Sequence, residues 1–146
     1  MAYEQLKLGN QLCFPFYAAS RLIIREYQPF LDHLGITYPQ YLVLMVLWEN
    51  DTLPVNDIAG KLILNTNTIT PLLKRMEQQG LISRNRSEKD ERKVLVHLTE
   101  KGKRLQEEAS GIPEALVKRL LESELRLDDL EKLKEKLNSV ITLLSN

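Results

Sequence analysis

Apolar residues recur every three or four positions near the start of the chain, which is the spacing of one face of an α-helix. The pattern predicts a long first helix, with Pro15 as a candidate kink. The residues that carry this pattern are Leu6, Leu8, Leu12, Phe16, Ala19, Ile23 and Tyr27. Residues 32–35 (DHLG) then predict a break.

A second helix is predicted over residues 38–49. Thr37 and Gln40 have the spacing of a capping box, and Pro39 falls in the first turn. The helix is apolar nearly all round, which is typical of a buried element. Residues 50–54 (NDTLP) predict a turn, and a short helix over about residues 55–62 follows it.

The next segment, residues 65–80, combines polar capping residues, an inward apolar stripe and a closing Gly80. These features predict a further helix. Its first half is rich in Asn and Thr, which are poor helix formers. Their presence therefore indicates that these residues have a role other than stabilising the helix.

The periodicity changes after Gly80. Two short runs, residues 81–86 and 93–98, are typical of strands, and they flank the charged segment 87–92. This arrangement predicts a β-hairpin.

The remaining residues predict helices. Thr99 begins one that continues to about Ser110, residues 111–113 (GIP) break it, and leucines at helical spacing predict an amphipathic helix over 127–144. The order helix, helix–turn–helix, hairpin, helix predicts a mainly α fold with a small β-hairpin, that is, a winged helix–turn–helix core. The terminal helices carry apolar stripes that one small core does not absorb, so we expect them to form a dimer interface.

Composition limits the function classes. The chain has 146 residues and a formal net charge of zero, so any binding to nucleic acid must come from local clusters of Lys and Arg. It has one cysteine and therefore no internal disulfide, which fits a reducing compartment. The longest apolar run, residues 41–48, is too short to cross a bilayer, and the N-terminus has no signal-peptide pattern. We expect a cytoplasmic protein without membrane contact.

The helix at 65–80 is a candidate DNA contact. A helix–turn–helix places its second helix in the major groove, with the first turns at base edges. Asn67, Thr68 and Thr70 are short neutral donors and acceptors suited to bases and phosphates. Lys74 and Arg75 add positive charge further along the helix.

The charged turn is a second candidate DNA contact. Arg86, Lys89 and Arg92 lie within one short loop. DNA-binding proteins often insert an arginine side chain into a narrow minor groove. Asp90 is placed to hold Arg92 by a charge-assisted bond. Taken singly, Asn and Thr at a helix start are typical caps and a charged turn is typical of solvated surface; together and in this order they favour DNA binding.

Two segments resemble a known family. Residues 65–92 (NTNTITPLLKRMEQQGLISRNRSEKDER) resemble the recognition helix and wing of the MarR family of winged-helix regulators, with Asp90 and Arg92 matching the wing pair that engages the minor groove. Residues 10–17 (NQLCFPFY) and 36–49 (ITYPQYLVLMVLWE) resemble the one-cysteine organic hydroperoxide resistance regulators of that family. The resemblance implies a dimeric repressor that releases DNA when organic peroxides oxidise its N-terminal cysteine.

The resemblance also assigns roles to single residues. Cys13 matches the reactive cysteine, and Tyr27 and Tyr38 match two tyrosines that approach the thiol from the partner subunit and donate hydrogen bonds to it. Tyr17 matches a further nearby tyrosine. Pro15 departs from the family pattern, because an ordinary helix former is expected there. By the same resemblance we expect dimerisation and redox sensing at 1–36, DNA binding at 37–98 and dimerisation helices at 99–146.

Cys13 lies between apolar residues, where a lone cysteine is also a common small core residue. Peroxide reduction requires its thiolate, and the first product is a sulfenic acid. Because the chain has no second cysteine, we expect a mixed disulfide with a small cellular thiol or over-oxidation to the sulfinic acid, each of which releases DNA. A bridge between the two Cys13 residues of a dimer is left open by the sequence.

The leading hypothesis is therefore a homodimeric repressor that binds a palindromic double-stranded operator and senses organic hydroperoxides through Cys13. A regulator that binds a small phenolic ligand and a broader redox or virulence regulator are the alternatives. A thiol peroxidase is disfavoured because a wing is present and a resolving cysteine is absent. We expect no enzymatic activity, no cofactor and no metal, since His33 and His97 stand far apart.

Overall fold

The computed structural model describes residues 3–145, which contain seven α-helices and one three-stranded antiparallel sheet. The helices are α1 (Phe14–Leu34), α2 (Tyr38–Glu49), α3 (Val55–Leu62), α4 (Thr66–Gln78), α5 (Glu100–Ala109), α6 (Ile112–Leu120) and α7 (Leu127–Leu144). The strands are β1 (Leu53–Pro54), β2 (Ile82–Arg86) and β3 (Val94–Leu98). This mainly α arrangement with a small sheet confirms the predicted fold class. None of the described helices is long and apolar enough to cross a membrane.

The first helix is shorter than predicted. It begins at Phe14, and the preceding residues form two 3-10 turns, Glu4–Leu6 and Leu8–Asn10. The side-chain amides of Asn10 and Gln11 donate to backbone carbonyls of residues 4, 5 and 7, and so take the place of helical hydrogen bonds. The predicted kink at Pro15 is wrong: Pro15 lies in the first turn of α1, where the missing N–H costs nothing.

The helix–turn–helix follows the predicted boundaries closely. The capping box at the start of α2 is present, with Thr37 and Gln40 bonded in both directions. The turn between α3 and α4 passes through Ile63, which has a φ of 57° in the left-handed region. This conformation is unfavourable for a β-branched residue, and it lets the chain reverse before the recognition helix.

The hairpin pairs β2 with β3 in the register from Ile82 opposite Leu98 to Arg86 opposite Val94. A third strand, β1, was not expected, because its segment was predicted to be a turn. Leu53 and Pro54 pair with β3 on its other side. A proline is tolerated there because β1 is an edge strand.

The C-terminal half contains one helix more than the sequence predicted. Residues 111–113 do break the chain after α5, and α6 then begins at Ile112 with Pro113 in its first turn. The buried core joins α1, through Leu31, with α2, α3, α4, the sheet, α5 and α6. Helix α7 contributes no buried residue to it.

Candidate functional site

Cys13 lies at the boundary between the N-terminal 3-10 turns and α1. It is the N-cap residue of the helix, and its side chain is exposed. Exposure removes the simple interpretation of Cys13 as a core residue, because a thiol in a packed core would be buried. Its neighbours Leu12 and Phe14 are also exposed, Leu12 to 87%.

Tyr17 lies one helical turn after Cys13, and its backbone N–H donates to the Cys13 carbonyl at 3.3 Å. A further turn along, Arg21 donates to the Tyr17 hydroxyl at 3.4 Å, and its guanidinium carbon lies 5.3 Å from the centre of the Tyr17 ring. Because Arg21 donates to the phenol oxygen, the phenol proton is free to be donated elsewhere.

Tyr27 and Tyr38 lie together, as the resemblance implies. Their ring centres are 4.9 Å apart, and Tyr41 lies 5.9 Å from Tyr27 and 6.1 Å from Tyr38. Burial raises the pKa of all three phenols, and for Tyr27 the neighbouring phenols raise the pKa further. The cluster is therefore a set of protonated hydrogen-bond donors. The sequence prediction missed Tyr41, although its position three residues after Tyr38 places both on one helix face.

Cys13 does not meet these tyrosines within one chain. It precedes Tyr27 by fourteen residues along α1, and at 1.5 Å per residue this separation is about 21 Å. A contact between the thiol and the tyrosine pair therefore requires the Cys13 of a second subunit.

The predicted DNA-contacting residues of α4 are all exposed: Asn67, Thr68, Thr70, Lys74 and Arg75. The capping role belongs to Asn65, whose side-chain oxygen accepts the Thr68 N–H at 3.0 Å. Within residues 3–145, the side chains of Asn67, Thr68 and Thr70 make no hydrogen bond. They are therefore available to an external partner, whereas the inward residues of this helix pack in the core.

The wing has an internally bonded tip. Asp90 accepts from the backbone N–H of Arg92 at 3.1 Å and from its Nε at 3.3 Å, which is the predicted contact. The Arg92 side chain is nevertheless 93% exposed. Arg86 donates to the carbonyl of Glu91 at 3.0 Å across the turn. The two candidate DNA contacts face each other across a groove of about 340 Å³ lined by Thr66 and Thr70 on one side and Arg92 on the other.

An ion pair that the sequence did not indicate holds the wing against α4. The carboxylate of Glu77 accepts from the Arg84 backbone N–H at 3.0 Å and from its Nη2 at 3.2 Å. These hydrogen bonds with Arg84 lower the pKa of Glu77. The pair therefore links α4 to β2, the first strand of the wing. No group of three metal-ligating side chains occurs in the part of the chain described.

Known proteins with similar sequences are transcriptional regulators. The family model described as transcriptional regulator SarA/Rot matches residues 25–109. The organic hydroperoxide resistance transcriptional regulator of Bacillus subtilis is 49% identical over 142 residues, which are 97% of this chain and 95% of that protein.

Solved structures agree. AbfR of Staphylococcus epidermidis has been solved in several states. Its overoxidised form bound to DNA is 40% identical and has a TM-score of 0.76, with 97% of each chain covered. Its disulfide-formed state has a TM-score of 0.65 at 40% identity, over 97% of this chain and 94% of that one. The chain therefore belongs to the MarR family of winged-helix transcriptional regulators, in the branch of the organic hydroperoxide resistance regulators.

Proposed function

We propose that the protein is a homodimeric, DNA-binding transcriptional repressor that senses organic hydroperoxides through Cys13 and then releases its operator. The observation that carries the proposal is the separation of the two halves of the sensor: the exposed Cys13 thiol lies at the start of α1, and the half-buried Tyr27, which packs on Tyr38 of α2, lies about 21 Å further along that helix. The two halves form one sensor only when two chains associate. A repressor of this kind acts on chromosomal DNA, which supports a cytoplasmic location.

Association of two chains is supported by the apolar surface at both ends of the chain. Helix α7 contributes no buried residue, and Leu8, Leu12, Phe16, Leu143 and Leu144 are each more than half exposed. Apolar surface of this extent marks an interaction site. We assign residues 1–36 and 99–146 to dimerisation, with the sensor in the first of these parts, and residues 37–98 to DNA binding.

The proposed sensing step is a two-electron oxidation. The Cys13 thiolate, stabilised by hydrogen bonds from Tyr27 and Tyr38 of the other subunit and supported by Tyr17, attacks the outer oxygen of the hydroperoxide. The O–O bond breaks, the alkoxide takes a proton and leaves as an alcohol, and the sulfur becomes a sulfenic acid. Exposed apolar side chains beside Cys13 favour a peroxide with an apolar tail.

The sulfenic acid then condenses with a small cellular thiol, forming a mixed disulfide and releasing water. An overoxidised AbfR is bound to DNA in its solved structure, which favours the mixed disulfide over the sulfinic acid as the releasing form. A mixed disulfide adds more bulk than oxygen atoms do. We infer that this bulk separates the dimer contacts and changes the spacing of the two recognition helices.

DNA recognition is assigned to two elements. The first half of α4 presents Asn67, Thr68 and Thr70 to the major groove, with Lys74 and Arg75 at its edge. Arg92, aligned by Asp90, enters the minor groove, and Arg86 supports it from the wing. Because the chain has no net charge, its binding to DNA depends on such a local cluster of Lys and Arg side chains. A palindromic operator matches the two-fold symmetry of a dimer.

A gel shift with the DNA upstream of the protein's own gene tests the proposal. The reduced protein should bind it, and treatment with tert-butyl hydroperoxide and cysteine should abolish the shift. A reducing agent should then restore binding, because a mixed disulfide is reversible. The Cys13→Ser variant should stay bound throughout. Release of Cys13→Ser by peroxide, or binding of the wild type that peroxide leaves unchanged, would refute the redox function.

A further inference from the structure

A buried amide connects the sensor side of the molecule with the DNA-reading helix. Gln40 is the one polar residue in the range 3–145 that is buried, with 3% of its surface exposed. Its Nε2 donates to Oε1 of Gln79 at 2.7 Å, and its Oε1 accepts from the backbone N–H of Thr37 at 3.1 Å. Gln40 belongs to the first turn of α2, and Gln79 is the residue that caps the C-terminus of α4.

Gln79 is held from more than one direction. Its Nε2 donates to the carbonyl of Gly35 at 3.4 Å, and its own carbonyl accepts from Lys101 Nζ at 3.0 Å. The end of α4 is thereby fastened to the junction between α1 and α2 by two side-chain amides. A helix of 13 residues that is fastened at one end transmits a displacement of that end to the base-reading residues at the other.

The same turn of α2 carries Tyr38. It lies between Thr37 and Gln40, which bond to each other in both directions, so this turn moves as a unit. Tyr38 packs on Tyr27, and these are the two phenols that the proposed sensor offers to the partner's Cys13. A displacement of Tyr38 therefore displaces Gln40.

The space beside the amide pair allows it to separate. A cleft of about 540 Å³ is lined by Gln28, Gly35, Gln40, Arg75 and Gln79. Water from this cleft can bond both amides after the Gln40–Gln79 contact breaks, so neither is left buried and unpaired. A directional hydrogen bond of this kind has two discrete states, made and broken, which is what a switch requires.

On the basis of the proposed function, we propose that the Gln40–Gln79 hydrogen bond is the coupling contact between the sensor and the recognition helix. When this hydrogen bond is present, it holds α4 in the DNA-reading position. Displacement of Tyr38 by the modified Cys13 of the partner subunit breaks it and frees the C-terminal end of α4. Gln40 and Gln79 are positioning residues, since neither touches the thiol or the DNA-reading face.

The test compares the Gln79→Ala, Gln79→Glu and Gln78→Ala variants. Gln78 lines the same cleft, and its side chain makes no hydrogen bond to the described residues, so Gln78→Ala is the matched control. Gln79→Glu keeps an oxygen that accepts from Gln40. For each variant, the dissociation constant for the upstream DNA is measured with the reduced protein and again after treatment with tert-butyl hydroperoxide and cysteine. Mass spectrometry measures the rate of Cys13 oxidation.

Gln79→Ala should oxidise at the wild-type rate, but its oxidised-to-reduced ratio of dissociation constants should fall about fivefold, the factor that one net hydrogen bond supplies. Gln79→Glu should recover most of the ratio, and Gln78→Ala should leave it unchanged. A purely structural bond would change affinity in both states equally, and an unchanged ratio in Gln79→Ala would overturn the proposal. A wild type that keeps its DNA after oxidation would instead refute the proposed function, and the coupling with it.

Discussion

Arg92 combines high exposure with a fixed orientation. Its guanidinium Nε lies 3.3 Å from the Asp90 carboxylate. In the proposed DNA complex, this contact aligns the side chain before DNA arrives, so that less rotamer freedom is lost on binding. If the wing binds DNA as proposed, the contact also accounts for the presence of an acidic residue on a surface that faces a polyanion. Asp90 orients the cation rather than competing with it, because the rest of the guanidinium still faces outward.

Replacing Arg92 with Ala should weaken binding to the upstream DNA by about tenfold and reduce the slope of log affinity against log salt by about 0.9, the value of one phosphate-type contact. Binding measured by fluorescence anisotropy across a salt series checks both numbers. Lys103→Ala removes an exposed cation from α5 and is the control. Equal losses in the two variants would show that the wing is not a DNA contact.

The phenols of the tyrosine cluster link stability to pH. Because burial raises the pKa of Tyr27, Tyr38 and Tyr41, the unfolded chain loses these protons at a lower pH than the folded chain does. Above about pH 10 the folded state therefore binds more protons, and its stability falls as the pH rises. At lower pH the phenols are protonated in both the folded and the unfolded state, and their contribution to the stability of the folded state is fully present.

Thermal unfolding between about pH 9 and pH 11 should show this loss as a falling midpoint. The slope should be smaller in Tyr27→Phe, which removes one of the raised phenols and keeps the ring. A slope that is the same in the wild type and in Tyr27→Phe would contradict the burial of this phenol in the folded protein.

At the scale of elements, helical periodicity and capping residues located most of the fold. The capping box of α2, the closing glycine after α4 and the leucine spacing of α7 each predicted the corresponding helix. The exceptions have physical causes. Side-chain amides replaced helical bonds before Phe14, and β1 is too short, at two residues, to have a periodicity.

The site was harder to predict than the fold. Single residues such as Cys13 and Arg92 were identified from motifs, and the predicted contact between Asp90 and Arg92 is present. The Gln40–Gln79 and Glu77–Arg84 contacts have no sequence signal, because they depend on how separate elements pack. In one chain, Cys13 and Tyr27 of the proposed sensor lie about 21 Å apart. A sequence pattern within one chain therefore does not show how the thiol and the tyrosines of two chains come together.

Helix α5 packs against the sheet through a glycine. A Cβ at Gly102 would run into the Leu81 carbonyl oxygen, while the Gly102 carbonyl accepts from Trp48 Nε1 at 2.9 Å. Gly60, in the last turn of α3, has open space around a Cβ built at its position. The two glycines therefore form a matched pair for the same substitution.

Gly102→Ala should lower the free energy of unfolding by about 2 kcal/mol, because overpacking forces α5 away from the sheet. Gly60→Ala should raise it by about 0.5–1 kcal/mol, the helix propensity difference between the two residues. Urea unfolding of both variants measures these changes. Destabilisation by Gly60→Ala, or none by Gly102→Ala, would contradict the described packing of these helices.

At the scale of the whole molecule, two functions share one dimer. In the proposed dimer, the apolar ends of two chains associate, each chain offers its Cys13 to the other's tyrosines, and the same association sets the spacing of the two recognition helices. Sensing and DNA release are thereby coupled through the subunit interface. The central claim is that each sensor is composite, with the thiol from one chain and the phenols from the other.

Mixed dimers test this claim most directly. One chain carries Cys13→Ser and the other carries both Tyr27→Phe and Tyr38→Phe, with separate affinity tags for purification of the mixed species. If the sensor is composite, both defects fall in one site and the other site is fully wild type, so the remaining Cys13 should react with tert-butyl hydroperoxide at the wild-type rate. If that cysteine reacts as slowly as in the dimer with both tyrosines replaced in each chain, the thiol and the tyrosines act within one chain and the account is wrong.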